Sequence, residues 1–330
     1  MEKDTPILEG KNVAVGYHKG KDIHWVARDL SFCVRPGQLT CLLGPNGVGK
    51  STLIKAIMGQ KLPTSGTILY QGKPLQQLGA KEMARKVSVV LTDRISPGNL
   101  NVRQLVELGR GPFTNWLGSL SEEDEKVIDQ AIASTNIGYL IDKNVAELSD
   151  GQLQKVMIAR ALAQDGELMI LDEPTAHLDL INRMEIMQLL RDIAHSRHKA
   201  MLVVTHDLDI AVETADVFWL MPCGGPLVSG TPEDIILSGN INQLLPQGKF
   251  YFNPSTGKIA SISPQDEFLI DGPEKVVQWL KLALRKRGIK PDGNIRLTAM
   301  DDPIRFLLER EDHTVQVSTV EEVLKELGDG

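Results

Sequence analysis

The sequence predicts an α/β fold built on a parallel sheet, followed by a smaller α+β domain. Three short runs, at residues 38–43, 167–174 and 199–207, have the apolar character of strands that are buried on both faces. The first run leads into a glycine-rich loop and an amphipathic helix, and the other two end in acidic or imidazole side chains. Beyond about residue 240, strand-like and helix-like patterns alternate over roughly ninety residues.

Composition excludes several classes of protein. The 330 residues are 42% hydrophobic and carry a formal charge of −7, which suits a globular chain with one large domain and one small domain. Lys and Arg are scattered, and the acidic balance offers no surface for nucleic acid or an anionic membrane. The sequence shows no N-terminal signal and no apolar run of about 18 residues, so we expect a cytosolic chain that does not cross a bilayer.

The glycine-rich loop at 44–51 reads GPNGVGKS and matches the phosphate-loop pattern at every position. It lies between a strand and a helix, which is the context that this pattern requires. Backbone N–H groups of such a loop converge on phosphate oxygens, while Lys50 reaches the outer phosphates and Ser51 can ligate Mg²⁺. The candidate nucleotide-binding residues here are Gly44, Pro45, Asn46, Gly47, Val48, Gly49, Lys50, Ser51 and Thr52.

Acidic and imidazole side chains follow the two later strands. Asp172 and Glu173 end the strand at 167–174, and His206 ends the strand at 199–207. In a parallel sheet these ends lie at the edge where ligands bind. Asp172 therefore suits Mg²⁺, Glu173 suits a base that activates water, and His206 suits a contact to the terminal phosphate. Without the phosphate loop, a solvated turn would be the simpler interpretation of the two acids.

The segment ELSDGQLQKVMIARALAQD, at 147–165, starts with residues typical of a helix N-terminus and continues with apolar residues at helical spacing. When this segment is included, the chain resembles the ATP-binding subunits of ABC transporters in the order of its motifs. These are the phosphate loop, an LSGGQ-like signature at 148–152, LMILDE, TAHLD at 175–179, and His206. The resemblance spans roughly residues 7–235. It implies a P-loop NTPase core, an antiparallel β-subdomain, a helical subdomain at about 93–165, and the cofactors ATP and Mg²⁺.

The resemblance also implies a homodimer, because two ATP-binding domains of this family pair head to tail and enclose each ATP between the phosphate loop of one and the signature of the other. Ser149, Gly151 and Gln152 would then serve the site of the opposite subunit, with Ser149 and the Gly151 N–H facing its γ-phosphate. Tyr17 matches the aromatic residue that stacks on adenine, although core packing is the alternative interpretation. Asp179 matches the acid that faces the partner across the dimer.

Two positions depart from the family pattern. Asp150 stands where the signature usually has glycine; its carboxylate favours a helix N-terminus but would repel the phosphates of the opposite site, which predicts slower catalysis. Thr92 stands at the expected Q-loop glutamine, and either Thr92 or Asp93 would reach Mg²⁺ through water.

The helical region indicates a type of transporter. LGR at 108–110, followed by Pro112 and Trp116, resembles importers of iron siderophores, haem and cobalamin. The resemblance implies the ATPase of such an importer, a peripheral subunit that binds a permease at the cytoplasmic face of the inner membrane and depends indirectly on an extracytoplasmic binding protein. Phe113 and Trp116 either pack locally or contact the permease. The alternative is a soluble ABC-type ATPase with a cytosolic partner, against which the lack of a coiled-coil insertion and of zinc-type Cys pairs argues.

Residues 241–330 are expected to form an accessory domain after an ABC ATP-binding domain of residues 1–240. The pattern predicts strands at 249–263, a helix between Pro273 and Gly288, a strand at 294–300, a helix at 303–311, a strand at 314–318 and a final helix. No catalytic motif is evident in this region, so regulation, dimer support and binding of a small effector are all open, and dimer support or regulation is expected ahead of a second enzyme activity.

Overall fold

The computed structural model describes residues 5–19, 22–91, 99–115, 118–246, 248–261, 269–290, 295–310 and 313–328. The chain folds as two units, Met1–Ala260 and Ser261–Gly330. The division falls later than residue 240 because the segment that follows 240 packs on the first unit. Phe252 is buried in the same apolar cluster as Ile235 and Ile241.

The first unit begins with the elements that surround the glycine-rich loop. In chain order they are β1 (Leu8–Lys19), β2 (Asp22–Val34), β3 (Leu39–Leu43), α1 (Lys50–Ile57), β4 (Ser65–Tyr70), β5 (Lys73–Pro74), α2 (Ala80–Lys86) and β6 (Val87–Val90). The helical region follows with α3 (Val102–Glu107), α4 (Glu122–Ser134) and α5 (Asp150–Ala163). Then come β7 (Leu168–Asp172), α6 (Leu180–Arg197), β8 (Ala200–Val204), α7 (Leu208–Thr214), β9 (Val217–Leu220), β10 (Val228–Gly230), α8 (Pro232–Leu237), β11 (Phe250–Asn253) and β12 (Lys258–Ser261).

Two sheets form the frame of this unit. One is antiparallel, with the strand order β2-β1-β4-β5. The other has the order β10-β9-β3-β8-β7-β6, and its strands from β9 to β6 run parallel. Every residue of β3 and β8 is buried, because helices or the other sheet cover both faces. The predicted parallel core and antiparallel β-subdomain are both confirmed.

The parallel sheet separates two apolar clusters. Leu42 of β3 belongs to the cluster shared with the antiparallel sheet and α1, whereas its neighbours Cys41 and Leu43 belong to the cluster shared with α3, α5 and α6. This alternation follows from the two-residue period of a strand. In the described parts of the chain, no helix combines the length and the apolar character needed to cross a bilayer.

The second unit is a small α+β structure. Its elements are β13 (Ile270–Asp271), α9 (Glu274–Lys286), β14 (Arg296–Asp301), β15 (Ile304–Glu309), β16 (Thr314–Val317) and α10 (Val320–Gly328). The strands have the order β13-β14-β15-β16. The predicted helix at 303–311 is wrong, since β15 pairs antiparallel with both β14 and β16. Phe306 and Leu308 are buried while Arg305 is exposed, which is the two-residue period of a strand.

Candidate nucleotide-binding site

Glycines fix the path of the loop between β3 and α1. Gly47 and Gly49 have φ angles of 80° and 112°, a region that glycine adopts without steric cost. A Cβ on Gly49 would lie 2.4 Å from Cγ1 of Val26, and one on Gly44 would lie 2.6 Å from the carbonyl oxygen of Met221. The loop can therefore take this shape, and lie this close to the neighbouring strands, only with glycine at these positions.

Lys50 starts α1 and folds over the loop. Its Nζ donates to the carbonyl oxygens of Gly44 at 2.7 Å and Pro45 at 3.1 Å. Burial lowers the pKa of Lys50, and the carboxylates of Glu173 and Asp172 oppose that shift. An ammonium group thus lies at the start of α1, where the first N–H groups of a helix have no acceptor within the helix, and this combination favours phosphate.

A cleft of about 490 Å³ opens beside the loop, a size that suits a small molecule. It is lined by Tyr17, Val26, Asn46, Gly47, Gly49, Lys50, Ser51, Thr52, Asp172, Glu173 and Val204. All of these except Val26 and Val204 are candidates from the sequence. The other loop candidates, Gly44, Pro45 and Val48, shape the loop without lining the cleft.

The ends of β7 and β8 lie side by side and bring the predicted acids to the cleft. Asp172 is in register with Val204, whose carbonyl oxygen accepts from the Glu173 N–H at 2.9 Å. Glu173 has a φ of 50°, in the left-handed region. His206 Nδ1 lies 2.8 Å from Glu173 Oε2. Burial raises the pKa of Glu173, whereas His206 and Lys50 lower it, so the carboxylate is partly desolvated and held by an imidazole.

Asp207 ties the turn after β7 to the start of α6. Its Oδ2 accepts from Thr175 Oγ1 at 2.8 Å, and its Oδ1 accepts from Arg183 Nη1 at 3.1 Å. Arg183 Nε also donates to the carbonyl oxygen of Leu178 at 2.7 Å. These three side chains hold the turn at 175–179 in place. Sequence reasoning missed Asp207 and Arg183, and the only signal for them was that they flank predicted motifs.

The signature residues form the N-terminus of α5. Ser149 Oγ accepts from the Gln152 N–H at 3.3 Å, and Gln152 Oε1 accepts from the Ser149 N–H at 3.2 Å, which is a capping box. A Cβ on Gly151 would lie 2.7 Å from Asn182 Oδ1. Asn182 Nδ2 in turn donates to Asp179 Oδ2 at 2.8 Å. The signature and the turn at 175–179 therefore meet at Asn182.

The structure separates the signature from the cleft of the same chain. Ser149, Gly151 and Gln152 are not among the residues that line it, although all three lie in described parts of the chain. The cleft therefore contains the loop and the acids without the signature donors. Thr92 lies outside the described residues, and so do Asp93 and Trp116.

Tyr17 lies on β1 at the edge of the cleft. It is 49% exposed, so the alternative of core packing is wrong. Its hydroxyl lies 3.1 Å from Thr52 Oγ1 on α1, and this hydrogen bond lowers the pKa of Tyr17. The ring is thus fixed next to the phosphate loop while much of its surface stays open.

The cleft fits Mg²⁺ that arrives with a nucleotide. Among the described residues, no group of three or more His, Cys, Asp or Glu side chains could hold a metal ion alone. The Ser51 hydroxyl and the Asp172 carboxylate nevertheless line the same cleft. Mg²⁺ commonly takes one or two protein oxygens and completes its coordination with water and substrate phosphates. Ser51 and Asp172 are the side chains that would hold it.

The LGR segment at 108–110 has a structural explanation. A Cβ on Gly109 would lie 2.2 Å from the carbonyl oxygen of Arg160, so only glycine allows the chain to lie this close to α5. Arg110 Nε donates to Asp124 Oδ1 at 2.7 Å, and its Nη1 donates to the carbonyl oxygen of Ala163 at 3.0 Å. Arg110 therefore connects the first turn of α4 to the last turn of α5, whose other end carries the signature.

Comparison with known proteins gives consistent matches. The family pattern described as ABC transporter matches residues 27–176. An uncharacterized ABC transporter ATP-binding protein of Methanocaldococcus jannaschii is 38% identical over 72% of this chain and 81% of its own. The petrobactin import ATP-binding protein FpuD of Bacillus anthracis is 33% identical over 69% of this chain and 82% of its own. The cobalamin import ATP-binding protein BtuD of Halobacterium salinarum is 36% identical over 64% of this chain and 53% of its own.

Solved structures agree with the sequence matches. CbiO1 of Clostridium perfringens, part of the ABC transporter complex cbiONQ, has a TM-score of 0.64 and 30% identity, covering 74% of this chain and 97% of that one. A dimeric structure of the ATP-binding cassette MJ0796 with ADP and Pi has a TM-score of 0.57 and 25% identity, covering 68% and 98%. Since the matched region includes the phosphate loop, the signature and β7, this chain belongs to the ABC transporter family of ATP-binding proteins, which are ATPases.

Proposed function

We propose that this chain is the ATP-hydrolysing subunit of an ABC importer that takes up an iron-siderophore, haem or cobalamin-type cargo through a partner permease. The observation that carries the ATPase site is the single cleft that gathers Lys50, Asp172 and Glu173, with His206 bonded to Glu173. Relatives named for petrobactin and cobalamin import support the type of transporter. The named cargoes differ, so the proposal gives a class of cargo rather than one compound.

The proposed reaction is in-line attack of water on the γ-phosphorus of ATP. Glu173 accepts the proton of the attacking water, while the bond from the γ-phosphorus to the bridging oxygen breaks and gives ADP and phosphate. His206 Nδ1 lies 2.8 Å from Glu173 Oε2 and would hold this carboxylate in place, which leaves Nε2 as the ring nitrogen that would contact the γ-phosphate. Lys50 and the loop N–H groups bind the β- and γ-phosphates. Mg²⁺ bound by Ser51 and Asp172 would neutralise negative charge on the phosphates.

We further propose that two copies of the chain pair head to tail. The supporting observation is that the cleft of one chain lacks the signature residues, so Ser149 and the Gly151 N–H of a second copy would supply those donors. The dimeric cassette among the similar solved structures is consistent with this pairing. Such a dimer would lie peripherally on the cytoplasmic face of the inner membrane, against the permease, and would receive cargo through an extracytoplasmic binding protein.

Glu173→Gln tests the assigned base. The variant should bind ATP and accumulate as a nucleotide-bound dimer in size-exclusion chromatography, with phosphate release reduced by about 100-fold or more, because the amide cannot accept the proton. Glu213→Gln on the exposed side of α7 is the matched control, and it should hydrolyse ATP at the unaltered rate. Near-normal hydrolysis by Glu173→Gln would overturn the assignment.

Purification from membranes tests the importer assignment. The tagged chain should co-purify with a polytopic permease, and the assembled complex should hydrolyse ATP faster than the isolated chain. Recovery of a stable cytosolic partner in place of a permease would favour the soluble ABC-type ATPase. Binding of ferric siderophores, haem and cobalamin to the reconstituted complex would then identify the cargo.

A further inference from the structure

Lys61 has an unusual environment a few residues after α1. Its Nζ lies 3.4 Å from the centroid of the Tyr17 ring. The ammonium nitrogen is buried and has no hydrogen-bond acceptor among the described residues. The next residue, Leu62, is 65% exposed. The charged end of Lys61 is therefore inside while the neighbouring apolar side chain is outside, which reverses the usual pattern.

Burial of this ammonium opposes folding. A buried donor without an acceptor costs free energy, and a buried charge costs more than a neutral group. The compensating contact that the structure shows is the face of the Tyr17 ring, whose π electrons attract a cation. An aliphatic side chain could fill the same space without the cost. The charge at position 61 therefore points to a role that involves Tyr17.

Tyr17 is held on two sides and open on another. Its hydroxyl is bonded to Thr52 on α1, and the Lys61 ammonium covers one face of the ring. The residue nevertheless remains 49% exposed and lines the cleft. Lys61 is not among the residues that line the cleft, so its ammonium restrains the ring from outside the cleft while part of the ring surface stays exposed.

We propose that Lys61 is an affinity-determining residue for the purine base of the nucleotide and acts through the Tyr17 ring. A cation on one face draws π-electron density toward itself, which reduces the repulsion between the opposite face and the electron-rich base stacked on it. The proposal rests on the proposed function, in which Tyr17 stacks on adenine. It assigns Lys61 to the base, whereas Lys50 is assigned to the phosphates.

Lys61→Met is the direct test, because methionine keeps most of the length of the side chain and removes the charge. We expect the Kd for MgATP to rise by about 2-fold to 30-fold, the range expected for loss of a cation–π contact. The Kd for inorganic tripolyphosphate, which has no base, should not change. Lys61→Arg should keep affinity for MgATP close to that of the unaltered chain, since a guanidinium also binds an aromatic face.

Two further variants separate the ring contact from general electrostatics. Lys55→Met removes an exposed positive charge of α1 that also acts electrostatically on Tyr17, and it should leave both Kd values unchanged. In a Tyr17→Leu background, Lys61→Met should have no further effect on MgATP binding. Equal loss of MgATP and tripolyphosphate affinity, an unaltered MgATP affinity in Lys61→Met, or the same loss without Tyr17 would each overturn the proposal.

Failure of the proposed function would give a different result. Lys50→Ala should abolish tight binding of both MgATP and tripolyphosphate, because Lys50 is assigned to the phosphates. If Lys50→Ala bound MgATP as well as the unaltered chain, the assigned nucleotide site would be wrong. If Lys50→Ala fails to bind but Lys61→Met binds MgATP normally, only the role of Lys61 is wrong. Thermal unfolding of each variant checks that the fold is retained.

Discussion

Asp124→Asn should destabilise the helical region in a pH-dependent manner. Asp124 Oδ2 accepts from the N–H of Ser121 at 2.9 Å and from its hydroxyl at 2.7 Å, while Oδ1 accepts from Arg110. The side chains of Arg110 and Asp124 are only 8% and 10% exposed. The Ser121 hydrogen bonds, followed by the Arg110 contact, lower the pKa of Asp124 from 3.8 to about 2.

The size of the effect follows from this shift. This lowering of the pKa corresponds to a preference for the charged form on the order of 2 kcal/mol. Because the folded-state pKa is the lower one, the stabilisation is complete above the unfolded-state value of 3.8 and is lost as the pH falls through about 2. Removing one member of a buried ion pair typically costs about 3–5 kcal/mol. We expect a loss near the lower end of this range, about 3 kcal/mol, because Arg110 keeps its bond to the Ala163 carbonyl oxygen.

Urea unfolding of the full chain, followed by circular dichroism at several pH values, measures this effect. Other carboxylates titrate equally in both proteins, so they cancel in the difference between variant and unaltered chain. Asp129→Asn is the matched control: it lies on the same helix and pairs with Arg103 at 2.9 Å, but it is 64% exposed, so it should cost about 1 kcal/mol or less. Equal losses for the two variants at neutral pH, or a loss for Asp124→Asn that persists at about pH 2, would refute the reasoning.

Three other substitutions test the contacts around the site. Gly109→Ala should lower the free energy of unfolding by about 1–3 kcal/mol in urea titrations, because its Cβ would lie 2.2 Å from the Arg160 carbonyl oxygen; Gly111→Ala, whose Cβ would lie 3.3 Å from its nearest neighbour, should cost less. Arg183→Ala should lower kcat by about 10-fold to 100-fold with little change in KM, because the turn at 175–179 loses its support while the phosphate loop does not; a rise in KM alone would contradict this. Gly151→Ala should slow ATP turnover by the proposed dimer, and Asn182→Ala should partly restore it by removing the amide that lies 2.7 Å from the new Cβ; no restoration would show that Asn182 is not the obstacle.

The placement of the loop and the acids could be predicted because it depends on local sequence. The phosphate-loop pattern requires a strand before it and a helix after it, and β3 and α1 supply both. Asp172 ends β7 and His206 lies just after β8, and these adjacent parallel strands bring them to one edge of the sheet. The start of α5 was predictable for the same reason, since Ser149 has the side chain of a capping residue.

Contacts between distant segments could not be predicted. Arg183 and Asp207 are separated in sequence, and nothing in the spacing indicates that they bond. Lys61 is polar, so the sequence suggests an exposed side chain rather than an ammonium against Tyr17. The prediction of a helix at 303–311 is wrong because the short apolar run from Phe306 to Leu308 fits either a helix or a strand; pairing with β14 and β16 makes it a strand. Tertiary packing, here the burial of Phe252 against Ile235 and Ile241, also explains why the first unit extends past residue 240.

The left-handed backbone at Glu173 brings stability and the proposed catalytic role into conflict at one position. An L-residue with a side chain pays about 1–2 kcal/mol for that conformation, and glycine does not. Directed evolution for thermal stability alone would therefore enrich glycine at position 173. The resulting proteins would be more thermostable but would lack the Glu173 carboxylate. Stabilisation of this ATPase needs a screen that scores phosphate release together with survival.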